Sequence, residues 1–440
     1  MANIIDLQVI FKGNIKPSAP TPDHRRQYHL SYLDQIKPSF FMPLILFYAK
    51  EPHSNLSRQQ YCDQIIRKSL SEVLTHFYPL AGRIKSKLYV DCNDEGAYYV
   101  EAEARCQLLD ILHNPNAHDM NRFLPLDLCD VKDLPLMVQV TFFDCGGMAV
   151  GVGLNHEIGD ALSLVIFLNT WSKLSQGQTN FKTPIFGTAK LFPPKDVSCL
   201  PVNRFRNENS NNIVTKRFVF DAANIEALIN KYSVDNVRPP TRFEALTAFI
   251  SNRLVASKHK GPEGRTYSLW TPVNIRTRTE PKISENYFGN ISASAISMPS
   301  LETNKNDGIY HNIISPMRDA VKQINNEFVK KLQQTDEYLN LITQQHTKRI
   351  KGEITLLMFT SLCRFPIYEI NFGWGTPVFA APTRMTYSDK IVFFDTKSGD
   401  GIEAWINLKG EDMAKFEADE DVLCMFPRCQ LPSNVADVVP

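Results

Sequence analysis

The alternation of apolar and polar residues is sharpest between residues 148 and 168. Residues 148–154 are apolar and rich in valine and small side chains, which is typical of a buried strand. Residues 161–168 are again mostly apolar, with the spacing of a helix. The segment between them reads Asn-His-Glu-Ile-Gly-Asp, from 155 to 160. The pattern therefore predicts that His156 lies where a strand turns into a helix.

This position gives His156 two interpretations. Side chains at the end of a strand project into clefts above the sheet, so the histidine is a candidate for chemistry. It could equally be a buried histidine whose contacts are satisfied by packing. Asp160 also fits an ordinary helix N-cap, because a carboxylate there accepts a backbone N–H two or three residues later. The local spacing leaves both interpretations open.

The same reasoning predicts helices and strands mixed over both halves of the chain. Thr241 and Glu244 have the spacing of a capping box and mark the start of a helix. Further predictions are strands at 6–15, 214–220, 269–275 and 291–298, helices at 56–77 and 309–332, and hairpins at 87–109 and 136–155.

Periodicity is lost after residue 192, where proline, asparagine and arginine accumulate. A chain of 440 residues is also too long for one ordinary core. We therefore predict an α/β protein with two domains, at 1–192 and 214–440, joined by a crossover loop at 193–213.

Composition narrows the functional classes. The net charge is +1, which gives no electrostatic footprint for nucleic acid or for an anionic membrane. No apolar run has the length of a membrane-spanning helix, and the N-terminus lacks the features of a signal peptide. The nine cysteines are scattered without CxxC spacing. These features predict a cytoplasmic protein with reduced thiols and no metal site.

Two later motifs add to His156 and Asp160. Residues 371–377 read Asn-Phe-Gly-Trp-Gly-Thr-Pro, and residues 398–405 read Ser-Gly-Asp-Gly-Ile-Glu-Ala-Trp. Together with the HxxxD of His156 and Asp160, this ordered set resembles the BAHD family of plant acyl-CoA-dependent acyltransferases. The likeness runs over essentially the whole chain and is greatest to the alkaloid-modifying branch.

The resemblance implies a fold and a function. The fold would have two similar-sized mixed-sheet domains of the chloramphenicol acetyltransferase type, with a channel between them. The function would be transfer of acetyl from acetyl-CoA to a hydroxyl of an alkaloid, plausibly a monoterpenoid indole alkaloid. Acetyl-CoA would be a co-substrate, no cofactor would be bound, and the protein would act as a monomer.

The resemblance also assigns roles to residues. His156 would be the general base in a ternary complex without an acyl-enzyme. Asp160 would point away from the imidazole and pair with Arg276. Structural support would come from the loop of Asn371, Gly373, Trp374 and Gly375, and the surroundings of Trp374 are a candidate oxyanion donor. Asn371 departs from the family pattern, where an aspartate is usual.

The phosphates of CoA need basic groups or a helix N-terminus near the mouth of the channel. The candidates are Thr241 and Arg242 at the start of the capped helix, with Lys258, Lys260 and Arg265 after it. For each of these side chains, a solvated surface charge is an equally good interpretation.

Alternatives remain for the reaction. The donor could be malonyl-CoA or benzoyl-CoA, and the acceptor could be a terpenoid, an aliphatic alcohol or an amine. The chain could also be a non-catalytic relative that binds small molecules. Condensation domains of peptide synthetases share the fold, but they usually have a second histidine where this chain has Asn155.

Overall fold

The computed structural model describes residues 5–50, 57–131, 133–201, 212–258, 266–299, 308–385 and 387–426. The strands in these residues are β1 Leu7–Ile15, β2 Gln27–His29, β3 Phe41–Tyr48, β4 Arg83–Lys85, β5 Tyr89–Asp91, β6 Ala97–Ala104, β7 Leu136–Phe143, β8 Met148–Asn155, β9 Ile213–Phe220, β10 Thr266–Asn274, β11 Ser292–Ser297, β12 Ile354–Ser361, β13 Phe379–Ala381, β14 Lys390–Asp395 and β15 Ile402–Lys409. The α-helices are α1 Tyr32–Gln35, α2 Arg58–Tyr61, α3 Arg67–His76, α4 Leu108–Leu112, α5 Ala117–Met120, α6 Ala161–Ser175, α7 Thr188–Leu191, α8 Ala222–Tyr232, α9 Arg242–Lys258, α10 Ser315–Gln323, α11 Asn326–Gln334, α12 Glu337–Ile350, α13 Gly410–Glu417 and α14 Glu420–Met425.

Two mixed sheets of six strands organise the two halves of the chain. The first has the order β1-β6-β7-β8-β3-β13 and the second β11-β10-β12-β14-β15-β9. A smaller sheet of three strands, β2-β5-β4, lies beside the first. Helices α3 and α6 contact each other in the first half, and α8 and α9 do so in the second. This architecture confirms the predicted mixed α/β fold with two sheet-rich halves.

Strand β13 comes from the second half of the chain but joins the first sheet. Ala380 pairs with Leu46 in an antiparallel ladder with β3. The second half of the chain therefore contributes a strand to the first sheet. The loop at 371–377 directly precedes this strand. The predicted boundaries at 192 and 214 remain a prediction, and residues 202–211 of the crossover lie outside the described residues.

Local patterns predicted several elements correctly. Strands β7 and β8 pair antiparallel in register with Val138 opposite Val152, which confirms the second hairpin. Helix α9 begins with the predicted capping box, because Thr241 Oγ1 accepts from the Glu244 N–H while the Glu244 carboxylate accepts from the Thr241 N–H. The predicted helix at 56–77 is present as α2 and α3, joined by a π-helical turn at Cys62–Ile66.

Two predicted elements were wrong. The segment 87–109 is not a hairpin: β5 pairs with β2 and β4, whereas β6 pairs with β1 and β7. The helix predicted at 309–332 is interrupted after α10, where Asn325 caps the start of α11 with its side chain. In the first segment the strand-pairing partners of β5 and β6 determined the structure, and in the second the side-chain cap of Asn325 did. The spacing of apolar residues does not reveal either of these features.

Both faces of the central strands are buried. Every residue of β7 and β8 is buried, so the strand that leads to His156 is anchored in the core. Within the described ranges, no helix is long and apolar enough to cross a membrane.

Candidate active site

His156 follows directly after β8 and is fixed by the strand beside it. Its backbone N–H donates to the carbonyl of Phe40, 2.9 Å away, immediately before β3 begins. The Phe40 ring meets the imidazole edge to face, with centroids 5.5 Å apart. The pairing of β3 with β8 therefore sets both the position and the tilt of the imidazole, and α6 starts five residues later, at Ala161.

One ring nitrogen of His156 is held by the protein. Nδ1 lies 3.1 Å from the carbonyl oxygen of Gly159. Since a carbonyl oxygen only accepts, this partner assigns the proton to Nδ1. Nε2 then carries the lone pair and can take a proton from a bound substrate.

His156 lines a cavity of about 880 Å³. Its walls come from both halves of the chain, with Met42 and Leu162 on one side and Thr271 and Val392 on the other. The volume lies in the range of about 300–1,000 Å³ that is typical of small-molecule sites. The sequence prediction of a cleft at the strand end therefore corresponds to a real cavity between the two sheets.

The surroundings keep His156 neutral. Burial is the main cause that lowers the pKa of His156 to about 3, and the positive charges of Lys37 and Lys390 act in the same direction. The Gly159 carbonyl and the Asp160 carboxylate oppose this shift only partly. A neutral imidazole at physiological pH is the form that can accept a proton.

Asp160 points away from the imidazole and pairs with Arg276. The guanidinium Nη1 lies 2.7 Å from Oδ2, and Nη2 lies 3.3 Å from Oδ1. The carboxylate also accepts from the N–H and hydroxyl of Ser163 and from the N–H of Ile291. Burial alone would raise the pKa of Asp160, but the pair with Arg276 and these hydrogen bonds lower it. Asp160 is thus both the N-cap of α6 and a link between the two halves.

Arg276 is fully buried and serves more than one acceptor. Nη2 donates to the carbonyls of Tyr287 and Gly289, at 2.9 and 3.1 Å. The turn before Asp160 is also tight: a Cβ on Gly159 would come within 3.0 Å of Leu154 and 3.1 Å of Ser163. The structure therefore brings together the pair that the sequence predicted.

A second bridge beside His156 was missed from the sequence. The side-chain amide of Asn290 donates to Asp34 Oδ1 and to the His156 carbonyl, both at 2.8 Å. Ser31 is the N-cap of α1, and its backbone N–H and hydroxyl donate to the Asp34 carboxylate, whose pKa is raised by burial. The Ser31–Asp34 capping box is a sequence signal that would have placed the aspartate at a helix start, but only the fold brings Asn290 to it.

Two lysines at the cavity were also missed. Lys37 and Lys390 both line the cavity of His156. Burial lowers the pKa of Lys390 to about 8. Neither lysine belongs to a recognisable motif, and they are separated by more of the chain than any local pattern spans.

The loop around Trp374 lies away from the cavity. The Trp374 indole packs against Tyr61 at 4.5 Å, and Phe372 packs against Trp171 at 4.6 Å. The Tyr61 hydroxyl donates to the Phe372 carbonyl at 2.8 Å. Trp374 is not among the cavity-lining residues, so the expectation that it helps to form an oxyanion site was wrong. Its indole is enclosed by aromatic side chains in the first core.

Asn371 and the two glycines shape the same loop. Asn371 Oδ1 accepts from the Gly373 N–H at 2.8 Å, which is the turn that an aspartate would also make. Gly373 and Gly375 have φ values of 84° and 81°, in the left-handed region that favours glycine. Asn371 therefore keeps the acceptor that the turn needs.

The predicted CoA-binding residues have different surroundings. Thr241 and Arg242 line the cavity at the N-terminus of α9. Arg242 donates to the carbonyls of Gly399 and Gly401, so it holds the Ser-Gly-Asp-Gly loop that follows β14. Lys258 is buried and paired with Asp389 and with Asp412, which removes it as a phosphate ligand.

Lys260 and Arg265 lie outside the described residues. Across the described ranges, no cluster of three or more His, Cys, Asp or Glu side chains could hold a metal ion.

Several known proteins are similar to this chain in sequence and in fold. The model described as the Transferase family matches residues 5–423. Limonoid 21-O-acetyltransferase of Citrus sinensis is 33% identical over 427 residues, which cover 95% of this chain and 98% of that protein. Stemmadenine O-acetyltransferase of Catharanthus roseus is 34% identical over 424 residues, covering 94% and 96%. The crystal structure of vinorine synthase matches with a TM-score of 0.82 and 33% identity, covering 96% of this chain and 98% of that chain.

The chain belongs to the Transferase family, the BAHD acyltransferases. It is an acyltransferase of the acyl-CoA-dependent type. The resemblance that the HxxxD and Asn-Phe-Gly-Trp-Gly motifs suggested is therefore confirmed.

Proposed function

We propose that this chain transfers acetyl from acetyl-CoA to a hydroxyl group of a polycyclic natural product, with His156 as the general base. The observation that supports this most directly is a neutral histidine that lines a cavity between both halves and whose Nε2 has no hydrogen-bond partner among the described residues. We infer that the thioester and the alcohol meet at this one base inside the cavity.

The chemistry follows from the two reacting groups. A thioester is activated, but an alcohol is a poor nucleophile until its proton is removed. A neutral imidazole takes that proton as the new C–O bond forms, a contribution of roughly 10²–10⁴-fold in rate. The negative charge that develops on the carbonyl oxygen raises the basicity of the nearby imidazole at that moment. The protonated His156 then returns the proton to the departing CoA thiolate, so no acyl-enzyme is needed.

Acetyl-CoA would bind where α9 begins. The N-terminus of a helix offers unpaired N–H groups and a partial positive charge, which suits the CoA phosphates. Thr241 and Arg242 border the cavity at this end. We assign Arg242 mainly to holding the loop at 398–401, because its guanidinium already donates to two carbonyls there.

The names of the relatives support two acceptor classes. One is named for stemmadenine, which supports the predicted alkaloid acceptor. Another is named for a limonoid, which makes a terpenoid alcohol the second candidate. The cavity offers aromatic walls to either, including Phe40, Phe243 and Phe365.

The proposal is tested by release of free CoA from acetyl-CoA in the presence of hydroxylated indole alkaloids and limonoids. His156→Ala should abolish release, whereas His113→Ala, which changes an exposed histidine, should leave it intact. Melting temperatures of all proteins check that they fold. If CoA is released only from malonyl-CoA or benzoyl-CoA, that acyl-CoA replaces acetyl-CoA as the donor. Silence with every donor, from a folded protein, would favour the non-catalytic alternative.

A further inference from the structure

The cavity around His156 carries an excess of positive charge. Its lining includes nine lysines and arginines but only three aspartates and glutamates. All three carboxylates already have basic partners. The pairs are Asp160 with Arg276, Glu244 with Arg238 and Arg318, and Asp395 with Arg242.

Lys390 is the basic residue whose surroundings are most unusual. Its side chain lies at the first residue of β14 and is 9% exposed. The ammonium donates to the Tyr387 hydroxyl at 2.7 Å. Among the residues that the structure describes, no carboxylate lies within ion-pair distance of it, and burial is the cause that lowers its pKa. A lysine ammonium has three donors, so donors remain that none of the described protein groups uses.

Lys390 shares a wall of the cavity with the histidine. The Phe40 ring lies 5.5 Å from the His156 ring and 5.5 Å from Lys390 Nζ. Lys37 precedes Phe40 by three residues, and its ammonium lies 3.4 Å from the Ser292 hydroxyl. Both ammonium groups are close enough to lower the pKa of His156.

A buried ammonium without a counter-ion is unfavourable unless a ligand supplies the missing charge. A carboxylate fits the remaining donors, because its oxygens accept charge-assisted hydrogen bonds. We propose that Lys390 and Lys37 form a carboxylate-binding subsite beside His156. The carboxylate is carried by the acceptor alcohol, or by an acyl group that would take the place of the proposed acetyl, and an amine cation is disfavoured at this position of the cavity. This inference rests on the proposed function, because it assigns the subsite to a substrate of the same transfer.

Binding measurements test the subsite without requiring turnover. In the acceptor arm, benzoate, benzamide and benzylamine are titrated by calorimetry into the full-length protein saturated with CoA, so that phosphate-binding groups are occupied. In the donor arm, malonyl-CoA and acetyl-CoA are titrated into the free protein. We expect either benzoate to bind at least about tenfold more tightly than benzamide, or malonyl-CoA to show that preference over acetyl-CoA.

Variants assign the preference to the lysines. Lys390→Met should remove most of the preference for the anion, and Lys390→Arg should restore it to within a few-fold. Lys37→Met should reduce it independently, which covers the case in which Lys390→Met does not fold. The matched control is Lys216→Met, which removes a lysine on β9 of the same sheet whose side chain is 44% exposed and pairs with Glu417.

The outcomes separate the subsite from the proposed function. If the wild-type protein prefers neither benzoate nor malonyl-CoA over its uncharged counterpart, the subsite is refuted. It is also refuted if Lys390→Met weakens charged and uncharged probes equally, or if it lowers kcat for an uncharged acceptor without changing any probe affinity. Anion selectivity in a protein that releases no CoA would retain the subsite and refute the transfer reaction.

Discussion

Arg276 and Asp160 are 116 residues apart in the chain and form a buried ion pair with contacts of 2.7 and 3.3 Å. The pair joins the start of α6, which follows His156, to the segment after β10 in the second half. It holds the loop that carries His156, the proposed general base, against the opposite wall of the cavity. The partners of the Asp160 carboxylate are Arg276, Ser163 and Ile291 rather than the imidazole, and we expect it to position the loop.

Asp160→Ala should destabilise the protein and reduce activity together. The change leaves the buried Arg276 without a counter-ion, and breaking a buried pair from one side costs about 3–5 kcal/mol of unfolding free energy. Urea unfolding and CoA release measure the two effects. The control is Lys331→Ala, which removes an exposed pair with Glu337 at 3.7 Å and should cost less than about 1 kcal/mol. A variant that is fully stable but inactive would contradict the positioning role.

Asn290→Ala should loosen the backbone of His156. It removes the amide donors to Asp34 and to the His156 carbonyl, and it leaves a buried carboxylate with fewer donors. We expect a loss of about 1–3 kcal/mol in unfolding free energy, with a larger fall in kcat than change in KM for acetyl-CoA. Equal activity at equal stability would show that the bridge does not position the base. The control is Asn93→Ala, because Asn93 is half-buried and its side chain makes hydrogen bonds with Glu95 inside its own turn.

The pH profile should lack an acid limb from His156 near its ordinary pKa. Since burial and the charges of Lys37 and Lys390 lower that pKa to about 3, the base stays neutral in mildly acidic solution. We expect kcat/KM to stay level between about pH 5 and 7.5, whereas a solvated histidine would titrate near ~6.5. In the double variant with Lys37→Met and Lys390→Met, the pKa of His156 should rise, and the acid limb of the pH profile should shift to higher pH. An inflection near pH 6.5 in the wild-type protein would contradict this expectation.

The lowered pKa of His156 also makes the free energy of unfolding depend on pH. Between about pH 3 and 6.5 the unfolded chain binds a proton at His156 that the folded chain does not. The stability that comes from keeping His156 neutral in the folded protein is therefore fully present above the unfolded pKa. It is lost as the pH falls through that window, because the unfolded chain then gains a proton that the folded chain does not bind. The free energy of unfolding of wild type minus that of His156→Gln, measured across these pH values, should fall as the pH decreases.

The loop around Trp374 should matter for stability more than for chemistry. Trp374→Ala removes a buried indole from the Tyr61 cluster and should cost about 3–5 kcal/mol. The kcat of the fraction that remains folded should change little, because the loop does not line the cavity.

Asn371→Asp should keep the turn to Gly373 and change activity by less than about twofold, since either side chain supplies the acceptor. A large gain in kcat from Asn371→Asp would contradict the structural assignment.

The elements that were predicted correctly are those whose partners are close in the chain. The β7–β8 hairpin, the N-cap at Asp160 and the capping box at Thr241 all arise within a few residues. Strands β5 and β6 were wrongly joined as a hairpin, because β5 pairs with the preceding β4 and with β2, whereas β6 pairs with the distant β1 and β7. The break before α11 depended on Asn325, a cap that lies inside an otherwise continuous apolar stripe.

The sequence by itself determined that a histidine follows a buried strand, that an aspartate caps the next helix, and which family the ordered motifs resemble. The first two properties follow from short-range hydrogen bonding and from the periodicity of apolar residues, whereas the family resemblance rests on the ordered motifs at 156–160, 371–377 and 398–405. Only the tertiary structure decided that Trp374 faces the core and that Asn290 reaches the His156 carbonyl. It also decided that Lys390 shares a wall with the histidine. Such contacts depend on how two sheets pack across a cavity, and packing between distant segments leaves no periodic trace in the chain.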